Sequence, residues 1–424
     1  MPDETIFHAG RWLSCPKRRE KIQSSTSTWR ALSLILILIS SVQALATLSV
    51  LSLATLAPVA SKSFGLGAHF VGYQVSTIYV SAAGISLISG TLVRRWGAVG
   101  VSQCALILCF VGILGLSAGN LAILILGSLF IGAGYGLTNP AASHLLFRLT
   151  PPRHRNLFFS LKQTSVPLGG ILAGLMLPPL TELGGWRFAL LASACLACAV
   201  ALILNLYRKQ LDFDREPKKA LKKNVKYDLK MIYQRKSLLR LSIMAFCYSA
   251  TQLSLMSFAV SMLVEDLTKT LVIAGTVASL MQGFGAVGRI AWGIVADRLA
   301  SGLSVLIAIG CLSIASSLVM TQMGKEWPLL AVLFLLCIFG LCSIGWNGVF
   351  LAEVARMSKP EEVSSMTGMA LFFTFSGVVV GPTLFSLAYN VLGSYTSTFG
   401  VIAVFPAVGT LSLLGLRKRE SLGA

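Results

Sequence analysis

Charge is scarce in this sequence, and negative charge scarcer still. Asp, Glu, Lys and Arg make up 12% of 424 residues, and only sixteen residues are acidic. A soluble domain carries about 25% charged residues, so one water-facing domain around a single core is excluded. A phosphate-cradling GxxxxGK[ST] run is absent, which excludes an ATP-driven pump on this chain. N-glycosylation sequons are also absent. The nine cysteines make no disulfide framework: Cys15 lies in a polar N-terminal stretch, and the other eight fall inside apolar segments. Cys195 and Cys198 form a CxxC in mid-segment, where cysteine packs as a small hydrophobe.

Long apolar runs fill the chain instead. Hydrophobic residues reach 55% and the mean hydropathy is +0.77. About 20 apolar residues cross a bilayer as a helix, and the sequence offers twelve such segments. Six are expected near residues 33–56, 70–93, 99–118, 121–146, 157–180 and 188–206, and six more near 241–264, 271–296, 303–320, 329–351, 366–387 and 398–416. The fold class is therefore an all-α integral membrane protein, twelve transmembrane helices in two pseudo-symmetric six-helix bundles. The expected divisions are a tail (1–29), a first bundle (30–207), a basic linker (208–240), a second bundle (241–416) and a short C-terminal tail (417–424). The first apolar run is far longer than the 7–15 residues of a cleavable leader.

The net charge of +19 reports orientation rather than a nucleic-acid partner. The linker holds twelve of the 35 Lys and Arg, and thirty of the 35 fall on the side of the linker and both tails. Only Lys62, Arg187, Lys269 and Lys325 fall opposite. Under the positive-inside rule this places both termini in the cytoplasm. Lys162 alone is left within a span, with Arg289 counted beside Arg298 at a span end.

The two bundles repeat each other. Asn139, Arg148 and Pro152 recur 208 positions later as Asn347, Arg356 and Pro360, and Gln43 recurs 209 positions later as Gln252. The run Gly90–Gly97 (GTLVRRWG) recurs in outline 203 positions later as Gly293–Ala300 (GIVADRLA). Parallel halves of this kind are one transporter plan, with the substrate between them near the midplane.

One stretch makes the resemblance specific. GAVGRIAWGIVADRLASG (Gly285–Gly302), with Gly293 followed by Asp297 and Arg298, is similar to the loop between the eighth and ninth spans of the major facilitator superfamily. Twelve spans, the 6+6 repeat, the basic centre and GGWRFA (Gly184–Ala189) fit the same resemblance. It implies a secondary transporter working by alternating access, with an inner gate held by Gly90, Arg95, Gly97 and Arg148 in the first half. The corresponding second-half set is Gly293, Asp297, Arg298, Glu353 and Arg356. Arg94 stands where the family usually has Asp, and Ser128 where a fourth-span Arg is usual, so the first-half clasp and proton coupling through that Arg are open.

Polar groups inside a bilayer need a partner or a wet cavity. Gln43 lies about 20 Å in from Arg30, and Asn139 and Asn347 about 13 Å from the basic ends of their helices. The resemblance implies that spans one, four, seven and ten line the cavity, which makes Gln43, Asn139, Gln252 and Asn347 candidate substrate ligands. Bonding between helices is the alternative. Trp346 stands beside Asn347, placed either to stack on a substrate or to face lipid. Lys162 either snorkels to the surface or neutralises an anion. No Asp or Glu lies in a span interior, so a cationic substrate has no counter-charge there. The expected function is therefore transport of a small organic anion, a carboxylate, across the bacterial cytoplasmic membrane. An exporter of hydrophobic compounds and a non-transporting receptor or scaffold are the alternatives. Catalysis, metal and cofactors are not expected. GFGAVG (Gly283–Gly288) reads as helix packing through small residues, not as a nucleotide loop. A monomer acting on a small molecule, with protons or a counter-substrate open as coupling partners, completes the expectation.

Overall fold

In the computed structural model the described residues are 25–150, 158, 161–213, 215, 235–299, 301–358 and 363–420. They are helical throughout apart from short connections, with no strand among them. The first half contains α1 (Ser25–Ala60), α2 (Val71–Trp96), α3 (Ala98–Ser117) and α4 (Leu121–Leu149). The helical stretch Ser165–Leu211 is two helices, because Gly185 takes φ +82° and ψ 166° and turns the chain. They are α5 (165–184) and α6 (186–211). The second half contains α7 (Lys236–Glu265), α8 (Leu271–Arg298) and α9 (Gly302–Met320). Two broken helices complete it around α11 (Val363–Leu392): α10a (Leu329–Ser343) with α10b (Asn347–Arg356), and α12a (Tyr395–Ile402) with α12b (Val404–Glu420). Helix α6 runs beyond the expected bundle edge to Leu211, and α7 begins at Lys236. Most of the basic linker, like the N-terminal tail, Pro152 and Pro360, lies outside the described residues.

Connections are short because the caps are local. Gly97, at φ +86°, is the whole joint between α2 and α3; a Cβ is disfavoured at that φ. The Asn120 side chain accepts from Ala122 N at 2.9 Å to start α4. Thr270, Ser301 and Ser394 cap α8, α9 and α12a in the same way. Polarity runs opposite to that of a soluble protein: Gln43, Gln252 and Lys162 are buried, while Leu206 is 73% and Phe334 68% exposed. Such outward apolar faces suit lipid, not water.

The halves meet along α1 and α7 and along two flanking seams, α2 against α11 and α5 against α8. Exchanging the halves converts one flanking seam into the other, as a pseudo-twofold axis requires. The match extends to single atoms on the side away from the linker. Gly72 lies against the Pro382 carbonyl, and Gly275, 203 positions on, lies against the Gly174 carbonyl, 208 positions before Pro382. Ser76 Oγ donates to Val379 O at 2.6 Å, and Ser279 Oγ to Ile171 O at 3.1 Å, with the same offsets. His69 also stacks on Tyr389 with ring centroids 4.6 Å apart. The halves are thus closed together on the far side.

Candidate functional site

Halfway along these helices the candidate residues form two clusters, one per half. In the first, the buried Lys162 ammonium donates to Gln43 Oε1 at 3.0 Å and to Asn139 Oδ1. Thr138 Oγ1 donates to the same Gln43 oxygen at 2.9 Å. The Gln43 oxygen is therefore spent, and its buried Nε2 has no protein partner. Lys162 is not a snorkelling residue in this structure. It is 3% exposed and held by two amide oxygens from α1 and α4.

The second cluster repeats the amides without the lysine. Gln252 Oε1 accepts from Trp346 Nε1 at 3.1 Å and from Asn347 Nδ2 at 3.2 Å. Trp346 is fully buried, edge-on to Tyr248 at 5.9 Å and against Phe350 at 5.4 Å. It faces neither lipid nor an open cavity, because its indole N–H needs the buried Gln252 oxygen and its rings fill the core of the second half. It orients Gln252 rather than offering a stacking surface.

Arg289 corrects the charge tally. Counted at a span end from the sequence, it lies nine residues inside Arg298 on α8, about 13 Å from that end. Its Nη1 donates to Gln163 O at 2.6 Å and its Nε to Ile344 O at 3.2 Å. Both carbonyls sit at helix breaks. A helical Gln163 O would take the N–H of residue 167, which is Pro167 and has none. Ile344 opens the turn between α10a and α10b. Arg289 is also close enough to Lys162 for their positive charges to interact, and Tyr135 of α4 lies within its field. Two cations therefore share the centre, both on the α5–α8 seam. At the equivalent places on the other seam stand Ser86, bonded to Ala83 O of its own helix at 2.7 Å, and Ala370. Among the described residues every Asp and Glu lies near a helix end or in a connection.

The expected gate residues are only partly assembled. Glu353 pairs with Arg356 at 2.7 Å and lies against Gly302 at the start of α9. Asp297 and Arg298 are exposed in this conformation. Gly90 and Gly293 face open space, and Arg95 is exposed. Arg148 Nη2 donates to Leu211 O, and its guanidinium lies 4.6 Å from the Phe213 ring centre. The sequence reading missed Asp212, whose carboxylate accepts from Val99 N and Gly100 N at 2.8 Å each. It supplies to the first-half loop a carboxylate that Arg94 does not. In GFGAVG, Gly285 lies against Ile344 and Gly288 against the Leu341 carbonyl, so the motif packs α8 on α10a.

Comparison with known proteins agrees over most of the chain. The family model described as Major Facilitator Superfamily matches residues 39–382. An uncharacterized MFS-type transporter of Mycobacterium tuberculosis is 25% identical over 283 residues, covering 66% of this chain and 61% of that relative's length. The hexuronate transporter of Bacillus subtilis is 22% identical over 387 residues, covering 86% of this chain and 89% of its own. Among solved structures, a bacterial homolog of the human lysosomal transporter Spinster, inward-facing and occupied, superposes with a TM-score of 0.73. It is 14% identical and covers 91% of this chain and 97% of its own.

Proposed function

Because the chain belongs to the major facilitator superfamily of transporters, we propose that it moves a small organic anion, a hydroxylated carboxylate, by alternating access across the cell membrane. The observation that carries the substrate class is the pair Lys162 and Arg289 at mid-depth, with no carboxylate among the described residues there to neutralise them. A buried charge without a counter-charge costs several kcal/mol, and a bound carboxylate supplies one. Gln43 Nε2 is the remaining buried donor in the lysine cluster, suited to a carboxylate or hydroxyl oxygen. The half-buried amides Asn139 and Asn347 flank the site with further polar atoms. The long match to a hexuronate transporter, whose name denotes an anionic sugar, supports the same class.

Orientation follows the excess of Lys and Arg on the linker side. With that side cytoplasmic and the far side sealed, the conformation is inward-facing. The gate residues Asp297, Arg298, Glu353 and Arg356 then come together when the cytoplasmic ends close, and one chain suffices for the cycle.

Uptake into proteoliposomes separates the readings. Labelled sugar acids and hydroxycarboxylates should be transported, with neutral sugars and lipophilic cations much slower. Lys162→Gln keeps a donor and removes the charge. Anion transport should fall tenfold or more, as expected from about 1.5–3 kcal/mol for a charge-assisted hydrogen bond. Anion uptake unchanged in Lys162→Gln would sink the reading and favour the export of hydrophobic compounds.

A further inference from the structure

We propose that Gln282 is a specificity-determining residue of the central site, whose buried amide oxygen accepts a hydroxyl of the substrate. Together with the two cations this narrows the cargo to a sugar acid lying along the α5–α8 seam, carboxylate toward the linker side and hydroxyls toward the far side. Gln282 is 3% exposed, and its Oε1 has no hydrogen-bond partner among the described residues. The glutamines of the two clusters differ, because each spends its oxygen twice: Gln43 on Lys162 and Thr138, Gln252 on Trp346 and Asn347. The hydroxyl one turn away on α8, that of Ser279, is committed to the carbonyls of Ile171 and Gly275. Packing does not call for an amide here either. Gln282 lies on Gly170 of α5, where a Cβ would come within 2.5 Å of its Nε2. The repeat puts Tyr79 and Val378 at the corresponding positions of the other seam, so neither the amide nor the glycine is shared by the two halves.

Placement and chemistry say what would meet that oxygen. Gly169, next to Gly170, lies against Ala44 O, beside Gln43. Gln43 and Gln282 therefore stand at one level on either side of α5, the first with an unmet donor and the second with an unmet acceptor. A carboxylate has no hydrogen to give and cannot satisfy Gln282 Oε1; a hydroxyl gives one and also accepts. An ammonium group would donate too, but Lys162 and Arg289 repel it. Arg289 is seven residues from Gln282, on the same face of α8 and about 10 Å toward the linker side. Its acceptor Gln163 is likewise seven residues from Gly170. Allowing roughly 3 Å for a hydrogen bond at each end leaves about 4 Å. That is the reach from a carboxylate to a hydroxyl near the middle of a six-carbon acid. The argument for a hydroxyl rests on Gln282 itself; the carboxylate end rests on the anionic substrate proposed above.

Calorimetric binding to the purified protein in nanodiscs tests this with gluconate, lactate and sorbitol. They are a six-carbon hydroxy acid, a three-carbon one too short to reach Gln282, and a neutral six-carbon polyol. Gln282→Met keeps the volume and removes both polar atoms. Gluconate affinity should fall about tenfold, the loss of one buried hydrogen bond, with lactate unchanged. Gly170→Ala should give the same split, because its Cβ pushes the amide aside without removing it, and it decides the matter should Gln282→Met not fold. Gluconate bound as in wild type by these variants overturns the proposal. So does an equal loss for gluconate and lactate, which would mark Gln282 as structural while leaving the anion reading intact. Should wild type bind gluconate no better than sorbitol, with both weakened in Gln282→Met, the hydroxyl contact stands and the anion reading is overturned. Wild type that binds none of the three overturns both.

Discussion

Gln43 illustrates what a single residue reveals in a sequence and what it hides. Its depth marks it as a buried amide needing partners, and so do Asn139 and Lys162; that they share one hydrogen-bonded cluster follows only from the packing of α1, α4 and α5. Asp212 was illegible for the opposite reason. It sits within the expected linker among many charges, 113 residues from the backbone it caps. Its carboxylate meets two N–H groups at the start of α3, where the helix dipole also favours negative charge. Asp212→Ala should therefore lower the stability of the first half by about 2 kcal/mol. Asp297→Ala, at the exposed end of α8, should stay within about 0.5 kcal/mol of wild type. Thermal unfolding of the detergent-solubilised protein compares the two. Equal midpoints for both variants would show the α3 cap to be dispensable.

The elements were legible because a bilayer demands about 20 apolar residues per crossing, and all twelve expected spans correspond to helices. Their seams were not. GxxxS at Gly72–Ser76 and again at Gly275–Ser279 is too common a pattern to single out, and its meaning depends on helices from the other half. A Cβ on Gly174 would lie 2.4 Å from the Gly275 carbonyl oxygen. Backbone cannot yield to that as a flexible side chain could, so Gly174→Val should prevent closure of the far side. The conformational equilibrium should move toward the linker-side-closed state and transport should fall at least tenfold. Gly283→Ala, whose Cβ would meet nothing within 4 Å, is the matched control and should transport like wild type. The two variants are compared by initial uptake rates and by thiol labelling from each side. Normal transport by Gly174→Val would mean that the seam opens too loosely to act as a gate.

At the scale of the whole molecule, the distribution of acid constrains energy coupling. The charge asymmetry, the repeat and the lack of Asp and Glu inside the apolar runs are all visible in the sequence, since they depend only on which residues fall in those runs. What the sequence concealed is that the centre holds two cations: Arg289 falls inside the expected span 271–296 but was counted with Arg298 at its end, and its bonds to Gln163 O and Ile344 O follow only from helix packing. With no Asp or Glu among the described residues at that depth, protonation of the substrate itself is the natural origin of pH dependence. Carboxylic acids ionise near pH 4, and only the ionised form offers charge to Lys162 and Arg289. At constant total concentration, uptake should therefore be complete above the substrate's own pKa and decline as the pH falls through it. Two carboxylates whose pKa values differ by about one unit should show uptake midpoints displaced by about the same amount. Lys162→Gln, which removes the charge the anion seeks, should flatten the difference between ionised and protonated substrate. A midpoint that stays fixed across substrates of different acidity, and disappears when a helix-end carboxylate such as Glu353 is neutralised, would locate the titrating group on the protein and overturn this account of coupling.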